Sequence, residues 1–140
     1  MAYVFAALGG VLGALARWAV SEALPHSPDA WPWATFLVNL TGCLVIGVLL
    51  AVLLARFAHS TWLRPFLAVG VLGGYTTYST FTVDVVHLTE AGRPALAAGY
   101  VLASVIGGVA AVVVGLLAGR AAMGGKDTVD AELRAGEGET

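Results

Sequence analysis

Gly73-Gly74-Tyr75-Thr76-Thr77-Tyr78-Ser79-Thr80-Phe81 interrupts an apolar run bounded by Pro65 and Asp84. Two glycines followed by hydroxyls and aromatics make a poor helix interior. In lipid, a backbone that leaves the helix must find new partners for its N–H and C=O groups, and each orphaned group costs several kcal/mol. A break is tolerated there only where it lines a cavity, a protein contact or an ion site. The segment therefore predicts a broken membrane helix, and it is the first place to look for function.

The surroundings support a membrane setting. The 140 residues are 59% hydrophobic and 11% charged, with a mean hydropathy of +0.85. A soluble domain carries about 25% charged residues, so the composition is that of an integral protein of a lipid bilayer. The net charge of −2 gives no nucleic-acid signal. A single cysteine, Cys43, excludes an intrachain disulfide framework. Met1-Ala2-Tyr3-Val4 has no basic n-region, so no cleaved signal peptide is expected.

Four segments are long enough to span, each with the roughly 20 residues a bilayer requires. They cover about residues 2–23, 33–55, 62–86 and 94–119, and the third contains the break. The expected fold is an all-α, four-helix transmembrane domain over residues 1–121. Residues 122–140 are polar and are expected to form a disordered tail. The connections, Leu24–Pro32, Ala58–Thr61 and His87–Arg93, are too short for a further domain. With four spans, Arg56, Arg64, Arg120, Lys126 and Arg134 fall on the side of the termini, against Arg93 alone on the other. This bias predicts cytoplasmic termini in a multi-pass protein of the cell membrane.

Two helix faces stand out. The fourth segment carries small residues every four positions: Ala95, Gly99, Ala103, Gly107, Ala111, Gly115 and Gly119. Such a row lets another helix backbone approach closely. Intrachain packing explains any one glycine, whereas the length of the row points to an oligomer interface. Thin polar stripes also run along two apolar helices: Thr35, Asn39 and Cys43 in the second, Tyr100 and Ser104 in the fourth. A membrane-buried amide such as Asn39 serves as interhelical glue or as a ligand contact, and glue stands first on the residues alone. Amide and hydroxyl donors suit an anion, as do the electropositive edges of the Tyr78 and Phe81 rings. Carbonyls freed by the break suit a monovalent cation.

Three blocks resemble the Fluc (CrcB) family of fluoride channels. Gly9-Gly10-Val11-Leu12-Gly13-Ala14-Leu15-Ala16-Arg17-Trp18 is similar to the family's GGxxGAxxRY. Thr35-Phe36-Leu37-Val38-Asn39-Leu40-Thr41-Gly42 is similar to its GTLxVNxxG. Gly70 to Phe81 is similar to its GxxGGxTTFSTF and is the most specific of the three. Tyr78 stands where the family has the first Phe of TTFSTF, which adds a hydroxyl to the ring. The resemblance implies an antiparallel dimer with fluoride pores at its interface. It implies a structural sodium ion at the dimer centre, held by backbone carbonyls of the broken helix, here Gly73 and Thr76. It places Asn39, Tyr78, Ser79, Thr80, Phe81, Tyr100 and Ser104 on the fluoride path, and Arg17 at a vestibule.

The implied function is passive export of cytoplasmic fluoride by a channel, not an enzyme. His26, His59 and His87 lie far apart in or beside loops, without nucleophile or metal-ligand spacing. The partner is a second copy or an oppositely oriented homologue. A homodimer of antiparallel chains needs little Lys/Arg bias, and the bias here is five to one. A non-conducting partner subunit is therefore one alternative. A small multidrug antiporter is another, and it would need a mid-membrane carboxylate. Glu22, Asp84 and Glu90 all fall towards span ends, and Asp84 reads as a boundary residue without an assigned role.

Overall fold

The computed structural model describes the backbone of residues 1–56 and 60–137 and the side chains of residues 1–53 and 60–124. All regular structure among the described residues is helical. The first helix, α1, spans Ala2–Ala23, and α2 spans Trp33–Arg56. The connection between them carries Pro25, Pro28 and Pro32, which cannot donate to a helix. Pro32 is instead used as the start of α2, its carbonyl accepting from Phe36 N at 3.0 Å. Residues 57–59 of the second connection lie outside the described residues.

The third segment comes in two halves. Its first half, α3, begins as a π-helical stretch, Pro65–Leu72, and closes with one α-helical turn, Gly73–Tyr75. Its second half, α4, spans Tyr78–Glu90. A 13-residue helix is only about 20 Å long, so neither half crosses a hydrocarbon core of roughly 30 Å alone. The α4–α5 turn is made by Gly92 at φ 73, where the missing Cβ removes the usual penalty. Arg93 N donates to Leu88 O and Gly92 N to Thr89 O, which completes a Schellman cap. Helix α5 then starts at Pro94.

The break differs from the sequence expectation in one respect. Gly73 and Gly74 are still helical, with Gly73 at φ −65, ψ −33. The extended residues are Thr76 (φ −75, ψ 156) and Thr77 (φ −147, ψ 125). β-Branched side chains favour extended backbone, so the threonines leave the helix, while Gly74 serves close packing on α1.

Packing joins the helices as two pairs. Helix α1 lies backbone-to-backbone on α3: a Cβ on Gly70 would stand 2.8 Å from Gly9 Cα, and one on Gly74 3.0 Å from Gly10 Cα. Helix α2 lies equally close to α5, where a Cβ on Gly115 would meet the Leu44 carbonyl and one on Gly47 would stand 2.8 Å from Leu116 N. The small-residue row of α5 is thus engaged within the chain at Gly107, Gly115 and Gly119, while Gly99 faces open space. The length of the row therefore does not single out an oligomer contact. The break carries the third segment from one pair to the other, because α3 packs on α1 and α4 packs on α5.

The outer faces are apolar. Leu8, Val11, Leu12 and Leu15 of α1 and Leu102, Val105, Ile106 and Val109 of α5 are all more than half exposed. Residues Ala2–Ala23, Trp33–Leu53 and Pro94–Gly124 are each long and apolar enough to cross a membrane. Together with the two half-helices they make the four-span arrangement expected. Helix α5 runs on to Glu137, past Gly119, where the composition turns polar and a disordered tail was expected. Ala131, Glu132, Leu133, Arg134 and Ala135 are good helix formers, which accounts for continued winding.

Candidate functional site

At the break, Asn39 of α2 bonds both backbone groups of Thr77. Its Nδ2 donates to Thr77 O at 2.9 Å, and its Oδ1 accepts from Thr77 N at 2.8 Å. The amide thus replaces the helical acceptor that Thr77 N has lost and adds a second donor to Thr77 O, which as the N-cap carbonyl also starts the hydrogen-bond ladder of α4, so the glue reading of Asn39 holds. A carboxamide carries two N–H donors, and Asn39 is part of a cavity wall. Its second N–H makes no hydrogen bond among the described residues.

Thr77 also caps α4. Its Oγ1 accepts from Thr80 N at 3.1 Å and donates to Thr80 Oγ1 at 3.0 Å, with Ser79 Oγ 3.2 Å away. This N-cap satisfies one of the free donors at the start of a helix. It also engages the Ser79 and Thr80 hydroxyls, which belong to exposed residues outside the cavity lining.

These two diversions free two carbonyls. In an unbroken helix Gly73 O would accept from Thr77 N, and Thr76 O from Thr80 N. Here the first donor goes to Asn39 and the second to Thr77 Oγ1. Thr76 N is taken by Leu72 O at 2.9 Å. The same holds for Gly74 and Tyr75, whose helical donors would be Tyr78 N and Ser79 N in the first turn of α4, so Gly73 and Thr76, the carbonyl pair expected to hold a cation, are among the carbonyls that the break leaves without helical donors. Among the described residues no cluster of His, Cys, Asp and Glu suits a metal ion.

The cavity beside the break has a volume of about 450 Å³. Helix α2 contributes Asn39, Gly42, Cys43 and Ile46, α3 contributes Ala68, Leu72 and Gly73, and the break contributes Thr76 and Thr77. Tyr78 and Phe81 of α4 and Ser104 and Val105 of α5 complete it. Ser104 Oγ is buried and has no hydrogen-bond partner, an orphan that a ligand or water would satisfy. Tyr78 is 80% exposed, with its ring 5.9 Å from that of Phe81. Its hydroxyl makes no hydrogen bond among the described residues.

Of the residues expected to share a path, the structure brings Asn39, Tyr78, Phe81 and Ser104 to one space, with Gly73 and Thr76 at its edge. Tyr100 lies behind Phe81, fully buried, the two rings 5.3 Å apart. Arg17 is half-buried on α1 and is not part of the cavity wall. Thr77 carries both the clamp and the cap, roles its sequence neighbours do not signal. Asp84 is 5% exposed, near Tyr100 and His26, so it is a packed residue of α4 beside the α1–α2 connection. Its place three residues after Phe81 and four before Leu88, on one helical face, is the signal that could have shown this.

Apolar outer faces, paired helices and a broken span beside a sparsely polar cavity define a multi-pass membrane protein with an interior space for a small solute. The chain belongs to the CrcB-like family, whose description is "CrcB-like protein, Camphor Resistance (CrcB)" and whose pattern matches residues 4–116. It is 45% identical over 117 residues to "Fluoride-specific ion channel FluC 2" of Nocardia farcinica, covering 84% of each chain. It is 46% identical over 114 residues to "Fluoride-specific ion channel FluC" of Paracoccus denitrificans, covering 81% of this chain and 90% of that one. A similarly named protein of Bordetella petrii is 44% identical over 119 residues, with 85% and 91% covered. The family named from the three sequence blocks is thereby borne out, and these relatives are named as ion channels, not enzymes.

Proposed function

We propose that this chain is a subunit of a fluoride channel that lets cytoplasmic fluoride leave the cell passively. The observation that carries the reading is the donor set of the cavity. The second N–H of Asn39, the unpartnered Ser104 hydroxyl and the Phe81 and Tyr78 rings meet in otherwise apolar surroundings. Fluoride is small and strongly hydrated, so it enters an apolar space only where donors replace water. Each must hold it weakly enough for release. The names of the relatives point to the same ion. Arg17, outside the cavity, would draw anions towards the membrane surface.

The assembly that fits is an antiparallel dimer. Tyr78 is turned outward, away from its own chain, and a second chain facing it would close the open side of the cavity. The freed carbonyls of Gly73 and Thr76 would hold a sodium ion, which supplies positive charge that keeps the break from rewinding. The partner is a second copy or an oppositely oriented homologue. The five-to-one Lys/Arg bias favours a fixed orientation and hence the second case. C-terminal tags found on both membrane faces, with fluoride flux from this chain alone, would establish the homodimer instead.

The antiporter reading gains one observation, the burial of Asp84. Asp84 is not part of the cavity wall, which separates it from any solute there. Fluoride efflux from liposomes, unchanged by an imposed pH gradient and absent for chloride, is the result that distinguishes the channel from a proton-coupled exporter.

A further inference from the structure

Gly42 stands three residues after Asn39, on the same face of α2. Several tight glycines sit against backbone: a Cβ on Gly13, Gly47, Gly74 or Gly115 would meet a carbonyl of the neighbouring helix. At Gly42 the atom met is instead Thr76 Cγ2, and the next nearest are Tyr75 Cδ1 at 3.5 Å and Thr76 Cβ at 3.8 Å. A notch in α2 thus receives the methyl group of the residue at which α3 leaves the helix.

This methyl group cannot turn aside freely. Thr76 Oγ1 donates to Leu72 O at 2.9 Å, and the two branches of a threonine turn together about one bond. Swinging Cγ2 clear of a new side chain on α2 therefore takes Oγ1 off its acceptor. The alternative is a shift of the Thr76 backbone itself.

That backbone carries one of the freed carbonyls. The Thr76–Thr77 peptide is trans and planar, so its C=O and N–H point in opposite directions. Its N–H is fixed on Asn39 Oδ1 at 2.8 Å. The Thr76 carbonyl is thereby turned away from the Asn39 side chain, while Thr80 N, its helical donor, is held by Thr77 Oγ1. Asn39 sets the direction of this peptide plane, and the Gly42 notch sets how closely it lies on α2.

We propose that Gly42 is a positioning residue for the cation site: its missing side chain seats the Thr76 methyl group and so places the Thr76 carbonyl where a monovalent cation is held. The proposal rests on the sodium reading of the freed carbonyls. A methyl group added at position 42 moves that oxygen yet removes no cation donor, because the donors are backbone atoms of another helix.

The test compares the full-length wild type, Gly42→Ala, Thr76→Ser and Gly42→Ala/Thr76→Ser. Their dimer fractions in detergent are followed as sodium is titrated against N-methylglucamine, with fluoride efflux from liposomes alongside. Serine lacks the methyl group and keeps a hydroxyl for Leu72 O. Gly42→Ala should raise the sodium concentration for half-maximal dimer about tenfold in the wild-type background, by overpacking against Thr76. In the Thr76→Ser background the same change should move it by less than about threefold, because residues in contact are coupled. A packing defect unconnected with the cation would lower the melting temperature in N-methylglucamine and leave the sodium midpoint where it was. An unchanged midpoint for Gly42→Ala, or an equal shift in both backgrounds, overturns the proposal. If Gly42→Ala alone fails to fold at every sodium concentration, the two serine chains decide: midpoints within about threefold uphold the notch, and midpoints about tenfold apart overturn it. If the wild-type dimer is indifferent to sodium, the cation reading fails and takes this role with it. If the wild type responds to sodium and Gly42→Ala responds identically, only the positioning role fails.

Discussion

Asn39 and Thr77 are joined by two hydrogen bonds, Nδ2 to Thr77 O at 2.9 Å and Thr77 N to Oδ1 at 2.8 Å. This pairing lets a helix open inside a membrane. Asn39→Ala would strand Thr77 N, at about 1–3 kcal/mol, and leave Thr77 O with its α4 partner alone. The expected outcome is a lower melting temperature in detergent and a loss of flux together. Asn39→Asp keeps the acceptor for Thr77 N and removes the donor, so it should fall between wild type and Ala. Wild-type melting of Asn39→Ala would show that the clamp is not structural.

Gly73 and Gly74 are neighbours with opposite surroundings. A Cβ at Gly74 meets the α1 backbone, whereas one at Gly73 meets nothing within 4 Å of its own chain. Gly74→Ala should therefore destabilise the fold by about 1–3 kcal/mol, as overpacking does. Gly73→Ala should leave the single chain intact. Any loss it causes must arise from what faces Gly73 across the cavity. Thermal melts of the two variants, with their dimer fractions, separate these effects.

The four spans and the existence of the break were legible in the sequence, because lipid demands long apolar runs and penalises any interruption. The residues that leave the helix were not. Thr77 is extended because Asn39, 38 residues upstream, accepts its N–H, and no local pattern carries that information. The π-helical winding of Pro65–Leu72 was also invisible in the apolar pattern. The α5 glycines were legible as a packing face, but their partner α2 was not, because a small-residue row states only that something comes close. The burial of Asp84 was hidden for a similar reason: a lone carboxylate near a span end gives no sign of the Tyr100 and His26 side chains that receive it.

Tyr78 is the departure from the family pattern, and its hydroxyl has no partner among the described residues. Tyr78→Phe should therefore change stability by no more than about 0.5 kcal/mol, as at other exposed positions. If the hydroxyl takes no part in the path, flux should be kept within about threefold, the rate equivalent of such a change. A larger fall, measured by fluoride efflux, would place that hydroxyl on the path.

The proposed sodium ion predicts a dependence on the external cation. Replacing sodium with a large organic cation during purification should lower the dimer fraction and the flux in parallel, and sodium alone should restore both. A dimer indifferent to the cation would leave the carbonyls of Gly73 and Thr76 without that role.

Phe81 tests the central claim most directly, because it is half-buried, lines the cavity and makes no hydrogen bond that its loss would strand. The measurement is fluoride efflux from liposomes holding Phe81→Ile channels, with chloride as control and dimer content fixed by size-exclusion chromatography. The cavity as a fluoride path predicts assembled dimers whose fluoride flux falls by about tenfold or more, a barrier change of roughly 1.4 kcal/mol. Assembled Phe81→Ile channels that pass fluoride at the wild-type rate would contradict it.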